Sequence, residues 1–147
     1  MLLTLNGRIQ TRLLALGVIG LLVAVMITPV LPTGSLSLGN AYRVTLSVLL
    51  ATVLVGVLWE LLYHFLQQFR WEKDWPTLFG FWTVINEAAL MWVLVHHTTV
   101  VLPQALHASL TAFLIQFVVT WMVFWLIVNG PMRVVFHRWR FQGGRFL

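Results

Sequence analysis

The sequence predicts an all-α integral membrane protein, a four-helix antiparallel bundle. Three observations lead to this fold class. Hydrophobic residues make up 60% of the 147-residue chain and charged residues only 9%, whereas soluble globular domains are about half apolar and about a quarter charged. Four apolar stretches are each long enough to cross about 30 Å of hydrocarbon, which takes roughly 20 residues. A spanning backbone must satisfy its own hydrogen bonds, so each stretch is expected to be helical.

The first span is predicted at about residues 13–32 and ends at the prolines of TPVLP. The segment before it is predicted as an amphipathic lead-in, in which Arg8 and Arg12 lie one turn apart and reach lipid phosphates. Charged residues before an apolar run are also typical of a signal peptide. This run exceeds the usual h-region of about 7–15 residues and no A-x-A-like site follows it, so a retained helix is expected.

The other connections are short, which predicts one transmembrane domain over residues 1–147. Its remaining spans are predicted at about residues 44–66, 78–102 and 108–130. The segment TGSLSLGN is turn-prone and joins the first two spans. A charged loop, 67–77, precedes the third span, and Asn129-Gly130-Pro131 is a stop for the fourth. Residues 131–147 form a basic, aromatic tail.

The positive charges predict which side of the membrane each end occupies. Of the nine Lys and Arg residues, all except Arg43 flank the same side of the predicted spans. Positive residues resist translocation, so that side is expected to be cytoplasmic and both termini are expected there. The expected location is the inner (plasma) membrane.

Two carboxylates lie inside the predicted spans, Glu60 in the second and Glu87 in the third. An ionised carboxylate at that depth costs at least about 2.5–3.5 kcal/mol, so both are expected to face protein or water. Each belongs to a helical stripe that starts with a glycine, Gly56 or Gly80. We therefore expect the two carboxylates to meet at one level. The candidates for an ion or proton relay, or for interhelical polar contacts, are Glu60, His64, Asn86, Glu87 and Gln116.

Between these two interpretations the structural one is favoured. A relay would use His64 as the proton-exchanging partner of the carboxylates. It also needs polar steps on the far side of Glu87, where the third helix offers only apolar residues before His96. The structural interpretation pairs Glu60 with His64 or Arg70, and Glu87 with Asn86 or a neighbouring helix.

Cofactor sites are not expected. The chain has no cysteine, which excludes disulfides, thiolate metal sites and covalent c-type haem. Weak metal candidates are His96, His97 and His107, but no carboxylate lies on that side to support them. The fourth span carries an aromatic stripe that would suit a quinone tail, although such a stripe more often packs against helices or lipid. Its members are Phe113, Phe117, Trp121 and Trp125.

The loop and the tail combine positive charge with aromatic side chains, which favours contact with anionic lipid or with a soluble cytoplasmic partner. The candidates are Arg70, Trp71, Lys73, Trp75, Arg138, Trp139 and Arg140. Nucleic acid is not expected as a partner, because the patch is small and close to the bilayer.

An enzyme is not expected either, since no nucleophile–base pair, phosphate-binding glycine loop or metalloprotease spacing occurs. The sequence favours a structural or accessory subunit of a larger membrane assembly, or a homo-oligomer. The alternatives are a small proton- or cation-coupled transporter or channel that uses Glu60 and Glu87, and a membrane redox subunit that binds haem or quinone.

Overall fold

The computed structural model describes residues 4–69, 77–103, 106 and 109–146, with the side chains of 77–80 left aside. Every regular element in these ranges is a helix, and no strand occurs in them. The all-helical prediction is therefore confirmed.

The N-terminal helix runs without interruption from Leu5 to Val30, over 26 residues. It comprises α1 (Leu5–Thr11), a π-helical turn (Arg12–Leu16), α2 (Gly17–Ile27) and a 3₁₀ turn (Thr28–Val30). Thr4 caps its start, where the hydroxyl accepts from the Gly7 N–H at 3.2 Å. This helix begins earlier than the predicted span because no helix-terminating pattern separates the lead-in from the apolar run.

The remaining elements follow the predicted order. They are α3 (Leu38–Gln67), α4 (Thr77–His97), α5 (Leu110–Asn129), α6 (Pro131–Val135) and α7 (His137–Phe141). Serine side chains cap two of these helices: Ser37 accepts from Asn40 N at 3.4 Å and Ser109 from Ala112 N at 3.2 Å. After α5, Gly130 and Pro131 turn the chain into α6.

Three helices are long and apolar enough to cross a membrane: Leu5–Val30, Leu38–Gln67 and Leu110–Val135. This is the property expected of a membrane-embedded protein. The N-terminal helix contacts α3 and α5, and α4 also contacts α3 and α5. A membrane-crossing α4 and two cytoplasmic termini remain predictions.

The main hydrophobic core lies between α3, α4 and α5. Its buried members are Val44, Val48, Met91, Val95, Leu102, Phe113, Phe117 and Trp121. A second cluster, with Leu16, Ala24 and Leu49 among its members, joins the N-terminal helix to α3.

Candidate functional site

Arg12 and Glu87 form a paired contact between the N-terminal helix and α4. Arg12 Nη1 donates to Glu87 Oε1 at 3.0 Å, and Nη2 donates to Oε2. The two residues are 5% and 1% exposed. A planar guanidinium that matches both oxygens of a carboxylate is the strongest geometry for such a pair, and burial excludes the water that would weaken it.

Glu60 brings α3 into the same contact. Arg12 Nη1 also donates to Glu60 Oε1 at 3.0 Å. The Glu60 side chain keeps 17% of its surface exposed. One guanidinium therefore connects three helices, and Glu60 and Glu87 share it.

Arg8, one turn before Arg12, adds a second positive charge. Its Nη1 lies 3.8 Å from Glu60 Oε2, and its Nη2 donates to Gln67 Oε1 at 2.8 Å. Arg8 is 8% exposed. Arg8, Arg12, Glu60 and Glu87 are called the ionic cluster below; two positive and two negative charges give it no formal net charge.

Gly56 makes the position of Arg12 possible. It lies on α3 one turn before Glu60, and a Cβ placed there would overlap Nε and Cζ of Arg12. Only glycine leaves enough room for the guanidinium at this point of α3. The glycine of the predicted stripe thus has a specific function, which is to admit a side chain from another helix.

A π-helical turn starts at Arg12, so this member of the ionic cluster is the first residue of the turn. Such turns contain one residue more per turn than an α-helix and often occur at functional sites. In this protein the turn runs from Arg12, in the ionic cluster, to Leu16, which packs against α3 together with Ala24. It changes the helical register between the polar and the apolar part of the N-terminal helix.

The energetic importance of the cluster is that its members depend on one another. Removal of one partner from a buried ion pair typically costs about 3–5 kcal/mol, because the other charge stays buried and unpaired. The cluster therefore fixes how the N-terminal helix, α3 and α4 are placed, although it need not stabilise the fold more than apolar packing would.

The surroundings of the cluster contain further polar side chains. The Tyr63 ring stacks on Trp59 with centroids 5.5 Å apart, and its phenol lies within electrostatic range of Arg12, Glu60 and Glu87. His64, half-buried on the next turn of α3 after Glu60, has an Nδ1 with no hydrogen-bond partner among the described residues. Asn86, next to Glu87, is exposed.

Gln116 belongs to a separate polar contact. It is 4% exposed and its Nε2 donates to the Thr45 carbonyl of α3 at 2.7 Å. The Thr45 hydroxyl in turn lies 2.9 Å from that of Thr28 in the N-terminal helix. The side chain of Gln116 thus connects α5 to α3, and through Thr45 to the N-terminal helix.

The tail folds back on the N-terminal helix. Gly143 O accepts from Thr4 N at 2.9 Å, and Gly144 O accepts from the Thr11 hydroxyl at 3.2 Å. Trp139 is 2% exposed and its Nε1 donates to Thr11 at 2.8 Å. α1 is therefore held between the tail on one face and the ionic cluster on another.

The structure brings together only some of the candidates from the sequence. Glu60 and Glu87 share Arg12, His64 and Asn86 lie beside them, and Gln116 lies elsewhere. Trp139 is buried inside the chain, whereas Arg138 and Arg140 are exposed. The loop candidates and one histidine lie outside the described residues: Arg70, Trp71, Lys73, Trp75 and His107.

The two arginines of the cluster are the residues that sequence reasoning placed wrongly. Arg8 and Arg12 are expected at lipid phosphates, but both are buried and pair with Glu60. Of the two partners that the sequence suggested for Glu60, His64 forms no described ion pair with it, and Arg70 lies outside the described residues. A usable indication existed: two carboxylates inside the spans need cations, and the nearest arginines with helical spacing are these two.

His96 and His97 are exposed at the end of α4, with ring centroids 5.2 Å apart. His96 also stacks on Trp92 at 4.8 Å. In the part of the chain that is described, no group of three side chains could hold a metal ion.

The aromatic stripe of α5 packs inside the protein along much of its length. Phe113 and Phe117 are buried and their centroids lie 5.6 Å apart. Phe81 of α4 meets Trp121 edge-on at 6.2 Å and Trp125 at 5.7 Å. These contacts are those of a helix-packing surface.

Comparison of the chain with protein-family models, curated proteins and solved structures found no match.

Proposed function

We propose that the chain is a four-span protein of the inner membrane that acts as a structural or accessory subunit of a larger membrane assembly, or as a homo-oligomer. In this proposal α4 crosses the membrane with the other three long helices, the four form an antiparallel bundle, and both termini are cytoplasmic.

The observation that carries this proposal is the sharing of Arg12 by Glu60 and Glu87. Arginine stays protonated at any physiological pH, so it remains a fixed partner for both carboxylates. Carboxylates engaged in this way serve helix assembly better than they serve proton exchange. The outer faces of the long helices are rich in exposed aliphatic side chains, which suit lipid or other membrane helices.

The tail and loop supply the second part of the proposal. Arg138 and Arg140 are exposed, and Arg140 lies over the Phe141 ring at 5.5 Å from its centroid. A basic and aromatic surface of this kind suits anionic lipid, or a soluble cytoplasmic partner that also contacts loop 67–77.

Mass measurement in a native-like environment tests the proposal. The tagged chain is expressed in the membrane of its native host, extracted with mild detergent and transferred into lipid nanodiscs. The mass of the assembly is then measured by native mass spectrometry. We expect a homo-oligomer, or a second protein present at fixed stoichiometry. A monomer that carries no other protein would overturn the proposal.

One observation favours a second candidate, a small proton- or cation-coupled transporter. Glu60 is partly exposed and lies one turn from His64, whose Nδ1 is free within the described residues. If this candidate is right, Glu87→Gln abolishes pH-dependent flux in proteoliposomes. Glu72→Gln, the same change in the loop outside the spans, serves as the matched control and leaves flux intact. Absence of flux in the unmodified protein would rule the candidate out.

A further inference from the structure

The exposed face of α4 differs from the exposed faces of the other long helices. It carries an amide, Asn86, close to the middle of the helix, between Ile85 and Trp82 on one side and Ala89 and Val93 on the other. On the other three long helices, exposed side chains at the middle are aliphatic. Examples are Leu21, Leu22, Leu54, Leu58, Val118 and Val119.

An amide on a lipid-facing surface needs partners. A carboxamide has two N–H donors and an oxygen with two acceptor positions, and hydrocarbon offers none of the complementary groups. The Asn86 side chain is exposed and lies within electrostatic range of the Tyr63 phenol of α3. Asn86 directly precedes Glu87 in α4, so this exposed amide lies at the level of the ionic cluster.

We propose that this face of α4 is the interface of a homodimer, with a two-fold axis that passes close to Asn86 and Ala89. The inference rests on the proposed function and names its partner as a second copy of this chain. Around a two-fold axis a patch meets itself, and an amide, which both donates and accepts, is complementary to its own copy. Ala89, one turn further, is small enough for two helix backbones to approach closely.

The ionic cluster makes this pairing electrostatically acceptable. In such a dimer the Glu87 residues of the two copies lie behind the interface, each one position from Asn86. Because Arg12 neutralises each carboxylate within its own copy, the copies meet without like-charge repulsion.

The absence of cysteine from the chain provides a direct test. The Ala89→Cys variant, whose new cysteine supplies the only thiol in the protein, is reconstituted in liposomes of phosphatidylethanolamine and phosphatidylglycerol. It is then oxidised with copper phenanthroline. We expect a disulfide-linked dimer. Val118→Cys, exposed on α5, is the matched control and stays monomeric. A cross-link through Val118→Cys without one through Ala89→Cys would overturn the inference.

A second measurement examines the amide itself. Asn86→Val keeps a similar volume and removes the hydrogen-bonding groups, so the dimer dissociation constant in liposomes, obtained from fluorescence energy transfer, should rise about tenfold. Asn86→Gln should restore most of the affinity. An unchanged constant in Asn86→Val contradicts the inference, and if this variant does not fold, the cysteine experiment still decides.

The two proposals fail in distinguishable ways. If the unmodified protein is oligomeric or bound to another protein but Ala89→Cys forms no cross-link, the proposed function stands and this interface is wrong. A monomer alone in both experiments removes both.

Discussion

Arg12 holds both carboxylate oxygens of Glu87 with its two terminal nitrogens, although the two residues lie 75 positions apart in the chain. Neither residue is exposed to a significant extent, so each supplies the countercharge that the other needs.

Removal of Arg12 should strongly destabilise the protein. Arg12→Leu leaves Glu87 buried without its main partner, and we expect the free energy of unfolding to fall by about 3–5 kcal/mol, measured by SDS titration in mixed micelles. Arg140→Leu, an exposed arginine, is the control and should change it by less than about 0.5 kcal/mol. The double variant Arg12→Leu/Glu87→Leu should recover much of the loss, since it leaves Arg8 and Glu60 balanced. A double variant no better than Arg12→Leu would contradict the charge-pairing account.

The two arginines of the cluster should differ in their tolerance of lysine. Arg12 donates to two carboxylates from two nitrogens, a geometry that a single ammonium group does not reproduce. Arg8 makes a looser contact with its carboxylate, 3.8 Å from Glu60, and a single hydrogen bond, to Gln67, that an ammonium group can also donate. Arg12→Lys should therefore lower the unfolding free energy by about 1–3 kcal/mol and Arg8→Lys by less than about 1 kcal/mol. The same SDS titration compares the unfolding free energies of the two variants. A larger loss for Arg8→Lys than for Arg12→Lys would show that the paired geometry is unimportant.

Gly56→Ala tests the close approach of Arg12 to α3. The added methyl group overlaps the guanidinium, and because Glu60 and Glu87 hold that group in place, we expect a loss of about 1–3 kcal/mol in unfolding free energy. The matched control is Gly17→Ala, at a helical glycine with nothing within 4 Å of the added Cβ. It should be neutral or stabilise by up to about 1 kcal/mol. Equal effects of the two changes would refute the steric account.

Gly7→Ala should release the tail. A Cβ at Gly7 overlaps the carbonyl oxygen of Gly143, where the tail accepts the hydrogen bond from Thr4. We expect trypsin to cut at Arg138 and Arg140 faster than in the unmodified protein. Mass spectrometry of the fragments measures the cleavage rate. Gly39→Ala, at another glycine with open space around it, should leave the cleavage rate unchanged. An unaltered rate in Gly7→Ala would mean that the tail docks in another way.

Gln116→Leu should produce a smaller effect than the changes in the cluster. It removes one neutral hydrogen bond, to the Thr45 carbonyl, and we expect a loss of about 0.5–2 kcal/mol in thermal or SDS unfolding. Thr111→Val, at an exposed position of the same helix, serves as the control. A loss as large as that of Arg12→Leu would indicate that Gln116 has additional partners.

The carboxylate side of the cluster was predictable from the sequence. Glu60 and Glu87 are conspicuous in apolar segments, and the cost of a charge in hydrocarbon directs both inward. The glycine stripe that contains Gly56 also indicated a close helix approach. These inferences require only local spacing, because each concerns which face of one helix is polar.

The cationic side was not predictable in the same way. Arg8 and Arg12 near the start of an apolar run have the pattern of interfacial residues, and only the packing of the N-terminal helix against α3 and α4 distinguishes the two interpretations. The π-helical turn from Arg12 to Leu16 has no characteristic sequence pattern. The docking of Trp139 likewise depends on long-range contacts, which spacing along one helix does not reveal.

The distance along the chain between Arg12 and Glu87 also bears on biosynthesis. Translation adds roughly 5–20 residues per second, so Arg12 emerges on the order of 4–15 s before its partner. Glu60 follows Arg12 by 48 positions, and until it emerges the nascent N-terminal helix carries an uncompensated guanidinium. We expect it to wait at the lipid headgroups or beside the translocon, and to enter the bilayer fully only when the later helices arrive.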